Sequence, residues 1–294
     1  MPSKETLLLI DGHAAAYRAF YAIRDLSAPD GTQTNAIFGF VKALLRAREH
    51  IQPTHLAVVW DGGLDEKRTE ILPGYKSERD PMPDALEAQL DGMVEWLEAI
   101  GIASICEDGV EADDAIATLA RQAEVAGCFT IILSPDKDFM QLVNKSIGIL
   151  NPNDKTGTIW GAEQVFKKSG VQPEQIVDWL SLVGDAVDDI PGVFGVGPKT
   201  AAKWLGQFRN LDGLFDRIDE IQPERFRIPL VDMREDLIRN QQLVRLRENL
   251  PLPTALPAFA LGNTDHDQLC SLYARWGFQS LYRDLEASRQ QDLL

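Results

Sequence analysis

Continuous apolar runs recur through the first half of the chain, and each ends in an acid. TLLLID (6–11), HLAVVWD (55–61) and CFTIILSPDKD (128–138) lack the polar alternation of a half-exposed strand, so they predict strands buried on both faces. GIASICE (101–107) reads as another strand. Between these runs the period lengthens. NAIFGFVKALLRAREH (35–50), residues 82–100 and EADDAIATLARQAEVAG (111–127) carry apolar residues at helical spacing, the last with acids in its first turn and Gly127 as its stop. Strands alternating with helices predict a parallel sheet between helical layers, a three-layer α/β core. The functional crevice of such a sheet lies beyond the carboxyl ends of its strands, which is where these acids fall. Later the pattern changes: residues 161–294 read as successive helices, broken by Pro191, Pro198, Pro223, Pro229 and the stretch PLPTALPAF (251–259). The expected division is an α/β core over 1–166 and an all-helical part over 167–294.

At 294 residues and 45% hydrophobic the chain can bury a substantial core, and it has no low-complexity tract or internal repeat. Cys106, Cys128 and Cys270 form no CxxC pair and read as buried apolar residues in a reducing compartment. The apolar run before Asp11 is too short for a signal peptide or a membrane span, so the expected location is cytoplasmic, with no membrane partner. The net charge of −16 runs against nucleic acid, because phosphate binding needs Lys and Arg. Nine of the acids sit in clusters that divalent ions would partly offset, and local charge outweighs the total. Residues 225–247 carry six arginines against Asp232, Glu235 and Asp236.

Those nine acids are Asp11; Asp61; Glu111, Asp113 and Asp114; Asp136 and Asp138; Asp185 and Asp188. Each has a plainer reading, since an Asp after a strand is often a turn or a helix cap and acids favour helix N-termini. Three acids in four residues exceed what a cap requires. Glu111 and Asp114 share a helix face while Asp113 points elsewhere, so one helix start can serve two metals. GDAVDDIPG (184–192) spaces Asp185 and Asp188 by three on a helix end or turn, with Asp189 as the N-cap of the next element. A ligand set of oxygens without His or Cys suits Mg²⁺ or Mn²⁺, and such a centre serves phosphodiester cleavage.

Two further segments bear on nucleic acid. PGVFGVGPKTAAKWL (191–205) superficially suggests a phosphate loop, GxxxxGK followed by Ser or Thr, but Pro198 intervenes before Lys199 and Thr200, and no apolar strand precedes it. It has the form of a helix-hairpin-helix, in which Gly195 and Gly197 open onto a helix whose backbone N–H groups hold a phosphate without reading bases. In GGLDEKRTEILPGYKSERDPMP, Lys67, Arg68, Lys76 and Arg79 surround Tyr75, a mixture that suits a single strand with a base on the ring; the competing reading is a solvated loop, since five acids are present as well. Arg18 reads as a phosphate contact or a surface charge.

Taken in order, LLIDGHAAAYRAFYAI, VVWD with Arg68 seven residues on, YKSER, EADDAIATLA, SPDKDFMQL, GDAVDDIPGVFGVGPKTA and the terminal YARWGFQSLYRDL resemble the 5′-nuclease domain of bacterial DNA polymerase I and its stand-alone relatives, in the flap endonuclease superfamily. The resemblance covers nearly the whole chain. It implies a PIN/resolvase-like nuclease core with a helical arch near 65–100, then a helix-hairpin-helix (helix-two-turn-helix) part near 189–205. It implies Asp11, Asp61, Glu111, Asp113 and Asp136 as ligands of a first metal and Asp138, Asp185 and Asp188 as a second group, with Asp114 less firmly between the two. Tyr75, Lys76 and Arg79 match the arch base and Arg68 a contact to the reacting phosphate. Lys76, Arg79, Arg68, Asp113 and Asp136 are then the catalytic set. Arg18, Gly195, Gly197, Lys199 and Thr200 join Tyr75, Lys76 and Arg79 as DNA contacts, and the hairpin is of a kind that often holds K⁺. Two ions about 4 Å apart would bind the scissile phosphate of branched DNA.

Two features depart from the pattern. The chain is more acidic than a DNA-binding enzyme suggests, and Gly62-Gly63 stands where a small residue followed by a longer one is common. The expected protein is a monomer, either a stand-alone nuclease or a domain of a longer polymerase chain, with a DNA polymerase as partner. The alternatives are a catalytically silent structure-specific DNA-binding protein, an RNA-directed nuclease on the same core and, weakest, a phosphate-loop NTPase.

Overall fold

The computed structural model describes residues 5–253 and 256–292. Its centre is a six-stranded sheet in the order β3-β2-β1-β4-β5-β6, built from β1 (Thr6–Asp11), β2 (His55–Trp60), β3 (Ala103–Cys106), β4 (Phe129–Leu133), β5 (Ile147–Leu150) and β6 (Ile159–Trp160). The first five strands are parallel, and β6 closes the edge antiparallel to β5. The last two strands, β5 and β6, are too short to stand out as apolar runs in the sequence.

Alternation along β1 explains its continuous apolar character. Leu7 and Leu9 face one layer and Leu8 and Ile10 the other, and all four are buried. The first layer holds α1 (Gly12–Ala22), α2 (Asn35–Ile51) and α4 (Asp84–Ile100). The short helix α3 (Glu66–Ile71) follows β2. On the opposite face lies α5 (Ala112–Val125), whose Ala115, Ile116, Leu119 and Ala123 pack under β1 and β4. This face is covered further by α6 (Ala162–Ser169), α7 (Ile176–Val183), α8 (Pro198–Phe208), α9 (Leu211–Asp216), α10 (Arg227–Asp232) and α11 (Arg234–Val244). A hairpin of β7 (Gly184–Asp185) and β8 (Ile190–Pro191) joins α7 to α8.

The structure departs from the sequence reading in three places. Residues 82–100 are expected to belong to the arch, yet α4 is a core helix, with Leu86, Met93, Trp96 and Leu97 buried against the sheet. Only residues 66–83 are left to lie over the strand ends. The last helices, α12 (His266–Trp276) and α13 (Gln279–Asp292), pack on the first layer and not with α6–α11: Tyr273 accepts a hydrogen bond from Trp96 Nε1 (2.9 Å), and Gly262 N–H donates to Gly101 O (2.8 Å). Periodicity marks α12 as amphipathic but does not say which apolar face it meets. Finally, of the three free cysteines only Cys128 is buried, Cys106 being exposed at the edge strand. No described helix is long and apolar enough to cross a membrane.

Candidate metal centre

The parallel register sets the carboxylates side by side. Asp11 pairs with Val59, so Asp61 lies just beyond the same edge, and Ile10 pairs with Leu133, which puts Asp136 three residues past it. Asp11 caps α1 by accepting from Ala14 N–H (3.0 Å), while its other oxygen accepts from Ser134 Oγ (3.0 Å). Asp61 accepts from Ala112 N–H (2.8 Å), which ties the start of α5 to the end of β2, and lies beside His13 Nδ1 (3.4 Å).

These carboxylates oppose one another's ionisation. Burial pushes Asp11 up to about 6; the Ala14 and Ser134 hydrogen bonds work against that shift, and the charges of Asp61 and Asp136 add to it. Asp113 is driven well above the usual carboxylate range by desolvation, then by Asp136, Asp11 and Asp61. Asp136 and Asp138 are raised as well, first by desolvation, then by their acidic neighbours. Asp136 touches solvent along the cleft but has protein on most sides, so it is exposed and still poorly hydrated. Asp61 alone moves down: burial opposes its charge, but His13, the Ala112 N–H and Lys76 outweigh that penalty.

Asp138, Asp185 and Asp188 form the other half of the cleft, with one carboxylate oxygen from each within 4.8 Å of the others. Asp138 begins a short 3-10 helix and is 9% exposed, and its Oδ1 is buried without a hydrogen-bond partner. An orphaned carboxylate oxygen in an all-oxygen nest fits a hard divalent cation. Asp185 and Asp188 lie at the end of β7 and in the turn after it, not on a helix. Asp189 is no N-cap: it adopts φ 57° and accepts from Glu78 N–H (2.9 Å).

The remaining candidates are turned inward. The sequence places Asp114 among the metal ligands, but it is 0% exposed and held by Arg68 (2.8 and 2.9 Å) and by Arg247 N–H and Nε (2.9 and 2.8 Å). With each oxygen accepting two hydrogen bonds, it has no lone pair left for an ion. The reading of Arg68 as a phosphate contact fails for the same reason. It is 4% exposed and committed to Asp114, Glu111 (2.5 Å) and Arg245 O (3.0 Å). Glu111 and Asp114 do share a helix face, but that face meets Arg68 and only Asp113 faces the cleft. Glu111 also accepts from Lys76 Nζ (2.8 Å) and Tyr75 Oη (3.2 Å). Tyr75 is buried by that contact and offers no free ring face for a base. Arg79 stays half-exposed and pairs with Asp188 (2.5 Å).

Arg18 lies two turns along α1, bonded to Asn153 Oδ1 and Pro152 O. It lines a groove of about 570 Å³ with Lys42, Arg46 and His50 that begins at Ala14 and Pro135, next to the carboxylates. At the helix-hairpin-helix, Gly197 caps α8 and Pro198 occupies its first turn. Among the described residues, the N–H groups of Phe194, Gly195 and Gly197 have no acceptor. His13, Lys137, Asp65 and Arg247 are site-shaping residues that the sequence reading did not single out. Lys137 and His13 sit inside the motif strings DKD and DGHA, whereas nothing in the sequence pairs Arg247 with residue 65 or 114.

Residues 6–170 match the 5′-3′ exonuclease N-terminal resolvase-like domain and residues 171–267 the 5′-3′ exonuclease C-terminal SAM fold. The chain is 36% identical over 283 residues to a 5′-3′ exonuclease of Aquifex aeolicus, covering 96% of each chain. It is also 36% identical over 286 residues to DNA polymerase I of Mycobacterium leprae, where the match covers 95% of this chain but 31% of the relative, so the chain spans about a third of that longer protein. Among solved structures, T5 5′-exonuclease with bound divalent metal ions (zinc) superposes with a TM-score of 0.69 at 19% identity, covering 96% of this chain and 99% of that one. The catalytic core of Rad2 in complex with DNA substrate gives 0.66 at 20% identity, covering 96% and 93%. These two likenesses establish the fold, and the family assignment rests on the sequence matches. The chain belongs to the 5′-3′ exonuclease family.

Proposed function

We propose that this chain is a divalent-metal-dependent 5′-3′ exonuclease and structure-specific flap endonuclease, which hydrolyses DNA phosphodiesters near a free 5′ end or a junction of single strand and duplex. The observation that carries this reading is the convergence of seven carboxylates on one cleft, with Asp138 Oδ1 buried and unpartnered among them. Asp11, Asp61, Asp113 and Asp136 are assigned to a first ion and Asp138, Asp185 and Asp188 to a second, Asp136 lying electrostatically between the two groups. Mg²⁺ or Mn²⁺ held there supplies a Lewis acid and a readily ionised water. Glu111 acts one step removed, by holding Lys76 and Tyr75 at the cleft wall. Arg79, half-exposed at the cleft, stands where positive charge would stabilise a phosphate gaining negative charge, and Lys76, buried against Glu111, adds its charge from the cleft wall without touching the phosphate.

The duplex is assigned to the helix-hairpin-helix. The unpaired N–H groups of Phe194, Gly195 and Gly197, with Lys199 and Thr200 just beyond, suit a phosphate and read no base, so recognition is by shape. A K⁺ on the carbonyl oxygens of that hairpin belongs to the same reading, as does Arg18 as a backbone contact. A monomer that acts beside a DNA polymerase, joined to it or in trans, in replication and repair fits the DNA polymerase I relatives.

The test is a 5′-labelled flap substrate incubated with the chain in Mg²⁺ and in EDTA. Short labelled products at the junction or at the 5′ end in Mg²⁺ only are expected. Flap binding without any product in Mg²⁺ or Mn²⁺ would sink the enzymatic reading in favour of a silent DNA-binding protein.

A further inference from the structure

The two halves of the carboxylate cleft differ in how their charge is met. Among the described residues, no Lys or Arg forms an ion pair with Asp11, Asp61, Asp113 or Asp136. Lys76, whose charge acts on Asp61 and Asp113, gives its Nζ to Glu111 (2.8 Å). The second group carries two resident cations: Arg79 donates to Asp188 Oδ1 (2.5 Å) and Lys137 to Asp185 Oδ2 (3.0 Å). Asp138 Oδ1, 9% exposed at the residue level, has no partner and faces this group.

On the footing of the metal-nuclease reading, we propose that Arg79 and Lys137 act as built-in counter-ions. They weaken the second ion site at Asp138, Asp185 and Asp188 until a substrate phosphate draws Arg79 away. A divalent ion at these oxygens competes with the guanidinium and the ammonium for the same lone pairs. Both cations are partly exposed, Arg79 at 46% and Lys137 at 40%, and we assign the movement to Arg79, whose planar guanidinium can pair with a phosphate through two N–H groups. The turn leading to Arg79 is clamped to the 185–190 hairpin by Lys76 N–H to Asp188 O (3.1 Å) and Glu78 N–H to Asp189 Oδ2 (2.9 Å). Both turns carry a non-glycine residue in the left-handed region, Lys76 at φ 55° and Asp189 at φ 57°, a conformation held only by its surroundings. A phosphodiester in the cleft offers Arg79 a second anionic acceptor, equal in charge to a carboxylate and able to take two guanidinium N–H groups at once. Transfer of Arg79 to it frees Asp188, so substrate and second ion favour each other's binding, as linkage requires.

The test is Mn²⁺ binding to the whole chain, read by the EPR signal of the free ion, without any cleavage measurement. The unmodified chain is expected to bind one Mn²⁺ tightly and a second about tenfold or more less tightly. Arg79→Met should tighten the second about tenfold while leaving the first within about twofold, and Lys137→Met should act in the same direction. Lys168→Met, which removes an exposed cation on α6, should change neither constant. Two equal constants in the unmodified chain, or a second constant unmoved in both Arg79→Met and Lys137→Met, overturns the proposal. With saturating flap DNA, the second constant should tighten more in the unmodified chain than in Arg79→Met, and equal tightening overturns the phosphate step. A chain that binds Mn²⁺ as described but never cuts DNA would contradict the nuclease reading and leave the counter-ion result standing.

Discussion

Arg68 shows how a single side chain decides what its neighbours can do. Its guanidinium holds Glu111 and Asp114, both buried, and so fixes the first turn of α5 on which Asp113 stands. Removing one partner of a buried ion pair leaves an uncompensated charge, so Arg68→Met is expected to cost about 3–5 kcal/mol in urea unfolding. Lost flap cleavage with unchanged stability would instead make Arg68 a direct substrate contact. Asp113→Asn is expected to behave in the opposite way. Desolvation and three acidic neighbours oppose its charge, so in EDTA the variant should unfold at a higher urea concentration than the parent chain. The nine acids could be found from the sequence because each lies at the end of an apolar run, at a helix start, or at a helix end or turn. Whether an acid faces the cleft or a buried arginine could not. That distinction for Asp114 depends on Arg68 and Arg247, which lie 46 and 133 residues away.

Elements bring the acids together through tight backbone contacts. Gly62, for which the sequence suggests no role, is fixed by its surroundings: a Cβ there would meet Glu107 O at 1.8 Å. Its N–H donates to Val110 O (2.9 Å), and its carbonyl accepts from Gly109 N–H (2.8 Å). These two bonds carry the chain from β3 into α5 beside Asp61. Gly62→Ala must push that loop away, so it should lower both stability and metal affinity, the latter read by Mn²⁺ titration; unchanged affinity would separate the loop from the site. Gly195, at φ 78°, holds the free N–H groups of the hairpin in position. Gly195→Ala is expected to cost about 1–2 kcal/mol of backbone strain and to weaken duplex binding with Mn²⁺ affinity unchanged. The central strands and long helices were legible because their periods run over many residues. The short strands β5 and β6, the β7–β8 hairpin and the docking of α12 were not, since short pairings and partner choice leave little mark on local pattern.

Across the molecule, seven of the 45 acids converge on one cleft, and this links stability, pH and metal. Asp11, Asp113, Asp136 and Asp138 have folded-state pKa values above their unfolded ones, so the fold holds protons that the unfolded chain has released. The stability associated with them is fully present below the ordinary carboxylate range and is lost as pH rises, through about 6 for Asp11. Divalent ions favour the ionised forms and reverse that loss. The gain in melting temperature from EDTA to Mg²⁺ should therefore grow from about pH 5 to about pH 8. A gain that does not vary with pH would mean that the ions bind elsewhere.

The most direct measurement is single-turnover cleavage of a 5′-flap DNA by the unmodified chain, Asp113→Asn and Asp185→Asn in Mg²⁺, with DNA affinity measured for each in Ca²⁺. Cleavage should fall by about a thousandfold or more in both variants while affinity stays within about threefold, as expected for groups that act in the transition state. Cleavage at the unmodified rate in either variant would contradict the carboxylate centre as the seat of catalysis.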